Sequence, residues 1–166
     1  MGRRWGGCRK SSTRTRAPRS TSRPSSGPWD IDLDKKAPLD DGISGQIEWL
    51  PDGRYRISAN RKDHYYRRRF TMAHELGHWF YHAHLMGDGI DDSRAYRSTP
   101  DGRFFNARIG PSEETDANRF AASIIMPTDL IKEWWGKLQD PAEMAKTFQV
   151  STKAMEIRLR GLGLIA

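Results

Sequence analysis

Apolar and polar residues alternate with a period of two on both sides of Pro51-Asp52-Gly53. The alternation covers residues 45–49, around Ile47 and Trp49, and returns over residues 55–60. This period is that of a strand with one buried face. Pro and Asp favour a type I turn, and Gly53 suits a positive φ. The segment therefore predicts a β-hairpin.

The period lengthens between Arg69 and Met86, where apolar residues recur at steps of three and four. The stripe comprises Ala73, Leu76, Phe80 and Ala83. Such spacing is typical of a helix with one face in the core. Residues 87–110 are interrupted by glycine and proline, which predicts an irregular connection.

Three or four more helices are expected in the remainder of the chain. Ser112 is a candidate N-cap for a helix over residues 113–125, which Met126-Pro127 would end. A helix is predicted over residues 129–138, followed by one that Asp140 opens and one that runs from Ser151 to Gly161. Together these elements predict an α+β fold, with a small sheet beside a helical layer and the 69–86 helix central.

Charge divides the chain into a basic leader and a nearly neutral remainder. The chain carries +7, but residues 1–28 hold seven Arg, one Lys and no acid, so the other 138 residues sum to −1. The leader is too poor in apolar residues to form a core, which predicts a disordered tail over residues 1–37 and one domain over residues 38–166. A transit peptide or a start codon assigned too far upstream would also produce such a leader.

The remaining composition narrows the location and the chemistry. No apolar run reaches the roughly 18 residues of a membrane span, so a cytosolic protein is expected. The single cysteine, Cys8, lies in the leader and excludes an internal disulfide and a thiolate zinc cage. Any metal ligands must therefore be histidines and carboxylates.

The string His74-Glu75-Leu76-Gly77-His78 matches H-E-x-x-H within the predicted helix. Residues four apart project from the same face, so both imidazoles can reach one ion while Glu75 reaches a water molecule beside it. Zinc suits imidazole ligands and lowers the pKa of bound water to about 7. The motif predicts a zinc-dependent peptidase with His74 and His78 as ligands and Glu75 as general base. Mn²⁺ and Fe²⁺ also accept such ligands.

Two residues compete to be the third ligand. Glu114 starts the predicted 113–125 helix and would complete a His₂Glu site. His84 follows His74 by ten residues, which is the spacing of the third histidine in another class of zinc protease, although that class needs a glycine where this chain has Tyr81. Asn118 lies four residues after Glu114 and is a candidate to hold a ligating histidine. His82 suits a helix-end cation or a substrate contact.

The chain resembles the ImmA/IrrE family of metallo-endopeptidases over roughly residues 38–164. The resemblance is carried by Gly42-Ile43-Ser44-Gly45, Asp52-Gly53-Arg54-Tyr55, residues 68–78 and the segment from Glu114 through Asn118 to Met126-Pro127. It implies a zincin-like fold, His74, His78 and Glu114 as zinc ligands, and Glu75 as base. It also implies cleavage of a helix-turn-helix repressor that controls phage, mobile-element or stress genes.

A DNA-binding regulator without peptidase activity is the alternative. Residues 141–164 have the apolar spacing of two short helices joined by a turn, as in a helix-turn-helix. Lys153, Arg158 and Arg160 would then face DNA. The same two helices are also suited to pack on the peptidase domain, because two helices alone lack a core.

Overall fold

The computed structural model describes residues 31–86 and 109–166, together with the backbone of residues 89–93. In chain order the elements are β1 (Ile31–Ala37), β2 (Ile43–Trp49), β3 (Tyr55–Asn60), α1 (Tyr65–His82), β4 (Gly89–Ser93), α2 (Pro111–Ile125), α3 (Thr128–Leu138), α4 (Pro141–Phe148) and α5 (Thr152–Gly161). The strands form one sheet in the order β1-β3-β2-β4. The predicted α+β class is confirmed.

The predicted hairpin is present as β2 and β3. Ile47 and Ile57 pair directly across the two antiparallel strands and are fully buried. Gly53 has a φ of 87° and donates its N–H to the carbonyl of Leu50 at 3.0 Å, which closes the turn. The backbone N–H of Arg54 also donates to the Asp52 carboxylate.

Strand β1 lies within the range that the sequence analysis assigned to the tail, so the folded part begins before residue 38. It pairs with β3 in parallel, and the guanidinium of Arg56 binds the Asp32 carboxylate at 2.8 Å. Its alternation is weak because Asp and Lys fill most of its positions and Leu33 is half exposed. Residues 1–30 lie outside the described part of the chain.

Helix α1 begins and ends four residues earlier than predicted. The Nδ1 atom of His64 accepts the N–H of Tyr66 at 3.2 Å and caps the start, and the helix ends at His82. Phe80, predicted to be in the core, is 45% exposed. The predicted core residues Leu76 and Ala73 are confirmed, Leu76 against the sheet core and Ala73 in the helical core, and Met72 and Trp79 also face the sheet core.

The predicted irregular connection over residues 87–110 contains strand β4, which pairs with β2. Residues 94–108 of that connection lie outside the described part. Helix α2 begins with Pro111 after Gly110, so Ser112 is not its N-cap. Pro suits the first helical position because its missing N–H would have had no partner there. The backbone N–H of Gly110 donates to the carboxylate of Glu113 at 2.9 Å.

The three C-terminal helices occur where the sequence predicted them. The side chain of Asp140 caps α4 and that of Ser151 caps α5. Their apolar side chains share one core with α1 and α2, whose buried members are Ala73, Ala121, Ile125, Met126, Ile131, Met144, Ala145, Val150, Met155 and Leu159. No helix in the described part of the chain is long and apolar enough to cross a membrane.

Candidate metal centre

Helix α1 presents the H-E-x-x-H residues as buried side chains. His74 and His78 are one turn apart, and their Nε2 atoms approach to 2.9 Å. Glu75 is fully buried beside them. The helical context that the motif requires is therefore present.

Helix α2 brings Glu114 to the two histidines. One carboxylate oxygen lies 3.4 Å from Nε2 of His74, and the other lies 3.4 Å from Nε2 of His78. The approach depends on Gly77, since a Cβ there would lie 3.0 Å from the Cα of Ala117 on α2. Close contact of the two helix backbones thus places the carboxylate over the imidazoles.

Asn118 contacts one of these imidazoles. Its Oδ1 lies 3.1 Å from Nδ1 of His74. An amide oxygen only accepts hydrogen bonds, so Nδ1 carries the proton and donates it. This tautomer leaves the lone pair of Nε2 directed toward Glu114 and His78. The predicted contact between Asn118 and a histidine of the motif is observed.

The environment favours a charged carboxylate and a neutral imidazole. Burial alone would raise the pKa of Glu114, but the adjacent imidazoles of His74 and His78 outweigh burial and lower the pKa to about 2. Burial lowers the pKa of His78, against the opposing influence of Glu114. A carboxylate and unprotonated histidines are the forms that bind a metal ion.

The donor atoms fit a single metal ion. His74, His78 and Glu114 each offer an atom within 4.8 Å of the others, and they are the one such group of ligating residues in the described ranges. Ligands at zinc bond lengths of 2.0–2.1 Å lie about 3.3 Å apart around a tetrahedral ion. The observed separations of 2.9 and 3.4 Å are close to that spacing.

The family comparison agrees with this geometry. Residues 30–160 match the peptidase family model described as the IrrE N-terminal-like domain. The chain belongs to the ImmA/IrrE family of metallopeptidases. No curated protein matches the chain. The match begins within the range predicted as tail and includes β1.

The rival ligand of the ImmA/IrrE domain, His84, lies apart from this cluster. It is an exposed residue in the turn after α1 and is not among the converging ligands. His82 lies in the last turn of α1, as expected for a helix-end residue, but it is only 8% exposed and its ring lies 5.7 Å from that of His78. Gly45 carries part of the family resemblance but was given no role in the site from the sequence, although a glycine inside a strand often marks close approach of another group. A Cβ on Gly45 would meet Glu75.

Two of the three basic residues proposed to face DNA make contacts within the ImmA/IrrE domain. Arg158 donates to the carbonyl of Met126 and to the hydroxyl of Thr128, at 3.1 and 3.0 Å. Arg160 donates to the carbonyl of Ala166, and Lys153 is exposed. Arg158 thus ties α5 to the end of α2, which gives it a structural role.

Proposed function

We propose that this chain is a zinc-dependent endopeptidase in which His74, His78 and Glu114 hold the metal and Glu75 is the general base. One observation carries the proposal: two imidazole nitrogens and two carboxylate oxygens converge beside a buried glutamate. Family membership supports a protein substrate and a metal cofactor. Two histidines and a carboxylate are typical zinc ligands, and the same set would also bind Mn²⁺ or Fe²⁺.

The residues divide the work of hydrolysis. A bound zinc ion supplies Lewis acidity that lowers the pKa of water and polarises the peptide carbonyl. Glu75 accepts a proton from the water molecule while the water oxygen attacks the carbonyl carbon of the peptide bond. When the C–N bond breaks, Glu75 returns that proton to the leaving nitrogen, so one water molecule is consumed and no proton is left over. Asn118 keeps His74 in the tautomer that serves as a ligand.

We further propose that the substrate is a helix-turn-helix transcriptional repressor, cleaved in the cytoplasm to release phage, mobile-element or stress genes. Support comes from the family, whose characterised members act in this way. The contacts of Arg158 favour this function over direct DNA reading by α5, because its guanidinium already donates hydrogen bonds to Met126 and Thr128 within the domain.

The test compares wild type with Glu75→Gln on candidate substrates, which are the helix-turn-helix proteins of the same genome, beginning with any that is encoded beside the gene. Glu75→Gln preserves the size of the side chain but removes the base, so cleavage should fall about 10²- to 10⁴-fold while metal content stays constant. Mass spectrometry of the products and elemental analysis provide the two readouts. Cleavage at the wild-type rate by Glu75→Gln would refute the mechanism.

The ligand set has its own matched pair of variants. Glu114→Ala should lose the metal, and His84→Ala should retain about one metal ion per chain, because Glu114 lies against the histidines and His84 is not among the converging ligands. The opposite pattern would assign the third ligand to His84. Cleavage of generic proteins such as casein is a less sensitive test, since a regulatory peptidase selects one partner.

A further inference from the structure

The carboxylate of Glu75 lies against a strand position that has no side chain. A Cβ built on Gly45 of β2 would come within 2.7 Å of Oε1 and 3.2 Å of Cγ of Glu75, and it would overlap the methyl group of Thr71. Gly45 does not have a positive φ, so its backbone conformation does not require glycine. The requirement at this position is for space.

A bulge in β2 turns this position toward α1. Ile43 pairs with Ser93 and Gly45 with Asp92, so two steps along β2 match one step along β4 and Ser44 is the extra residue. The fully buried hydroxyl of Ser44 accepts a hydrogen bond from Nε of Arg67 on α1, at 3.0 Å. Neighbouring residues of one strand thereby both contact the same helix.

The strand cannot easily withdraw from Glu75. Gly45 pairs with Ala59 of β3 on one side and with Asp92 of β4 on the other, and Arg67 holds the adjacent residue. An added methyl group must therefore displace the side chains of α1. The end of Glu75 can rotate away at small cost, whereas the β-branched Thr71 has little freedom.

We propose that Gly45 is a positioning residue: its missing side chain provides the space in which the Glu75 carboxylate is held against β2. The inference rests on the proposed function, since it concerns the placement of the general base. A shift of about 1 Å in a reacting group can cost a hundredfold in rate without unfolding the protein. Gly45→Ala should therefore impair the base more than the fold.

The experiment separates the two contacts of the added methyl group. Thr71→Ser removes the methyl of Thr71 and leaves Glu75 unchanged, so the double variant Gly45→Ala/Thr71→Ser relieves one overlap and keeps the other. Thr71→Ser alone is the background. Gly136→Ala is the matched glycine control, because a Cβ there has no heavy atom within 4 Å among the described residues.

The probe is acetohydroxamate, titrated into the Co²⁺-loaded variants and followed by visible absorption. A hydroxamate gives up a proton when it binds a metal ion, and a well-placed base stabilises the bound form through a charge-assisted hydrogen bond. Cobalt per chain and the melting temperature are measured on the same samples. This readout needs no peptide substrate.

If Gly45 positions the base, the double variant keeps its cobalt and the melting temperature of Thr71→Ser but binds acetohydroxamate about tenfold more weakly, as does Glu75→Gln. Wild-type affinity in the double variant, with Glu75→Gln still impaired, overturns the inference and leaves the proposed function intact. Unchanged affinity in Glu75→Gln itself would show that Glu75 does not act as the base, which overturns both the proposed mechanism and the role of Gly45. Loss of cobalt or of stability in the double variant overturns a role specific to Glu75.

Discussion

Two helix pairs in this molecule bury very different interiors. Between α1 and α2, the buried space holds imidazoles and a carboxylate, and Nδ1 of His78 is without a hydrogen-bond partner in the described part of the chain. Between α4 and α5, it holds Met144, Ala145, Met155 and Leu159, all almost fully buried. Polar atoms buried together cost stability, whereas apolar side chains provide it. Apolar packing between α4 and α5 therefore offsets the stability that is lost by burying polar groups between α1 and α2.

The largest expected effect is on metal affinity at the polar pair. His78→Leu removes one of three ligands and should weaken zinc binding roughly a thousandfold. The metal-free variant should be as stable as wild type or about 1 kcal/mol more stable, because an apolar side chain of similar size replaces a buried imidazole. Zinc titration and urea denaturation in EDTA measure the two quantities. A clear loss of stability in the metal-free variant would contradict the comparison.

The apolar pair should show the reverse. Leu159→Ala leaves a cavity in the shared core and should lower the free energy of unfolding by about 2–5 kcal/mol. Zinc affinity at a temperature where the variant is folded should be unchanged, since Leu159 lies in the apolar core and not among the converging polar atoms. Ile157→Ala is the control on the same helix, because Ile157 is 58% exposed. A zinc affinity that falls with Leu159→Ala would show that the two regions are coupled.

The sequence predicts a region well when the contacts that form it join residues close together in the chain. The caps Asp140 and Ser151 act within one turn of their helices, so the bounds of the C-terminal helices were predictable. The histidines and Glu75 belong to one local motif, and they too were predictable from spacing alone. Glu114 was preferred over His84 because Tyr81 stands where the rival class needs glycine, and the family resemblance supported that choice. The contact of Glu114 with the histidines depends on tertiary packing at Gly77, which the sequence does not reveal.

Other features left no usable local signal. Strand β1 is stabilised by its pairing with β3, and its own residues are mostly charged. The start of α1 depends on His64, which is an unusual cap. The role inferred for Gly45 depends on a bulge and on a helix about thirty residues later in the chain. Such contacts between distant segments are visible only in the folded structure.

A smaller effect is expected at the residue that supports a ligand without binding the metal. Asn118→Ala removes the acceptor for Nδ1 of His74 and should weaken zinc binding about 10- to 100-fold. Asn118→Asp restores an acceptor with a charge and should bind zinc at least as tightly as wild type. Competition with a chromophoric chelator measures both. Equal affinities for the Ala and Asp variants would show that the hydrogen bond does not hold the ligand.

The smallest effect is the pH dependence of the metal-free fold. Burial lowers the pKa of His78 from its ordinary 6.5. Below about pH 6.5 the unfolded chain therefore binds a proton at this residue more readily than the folded protein does, and the free energy of unfolding decreases as the pH is lowered. Glu114 acts at lower pH: its pKa rises from about 2 to its ordinary 4.5 on unfolding, so its contribution is complete above 4.5 and is lost between about 4.5 and 2. Urea denaturation in chelator between pH 7.5 and 5 should therefore show a decline in wild type that is weaker in His78→Leu. Parallel curves for the two proteins would mean that the buried imidazole is not the source of the acid sensitivity of the polar helix pair.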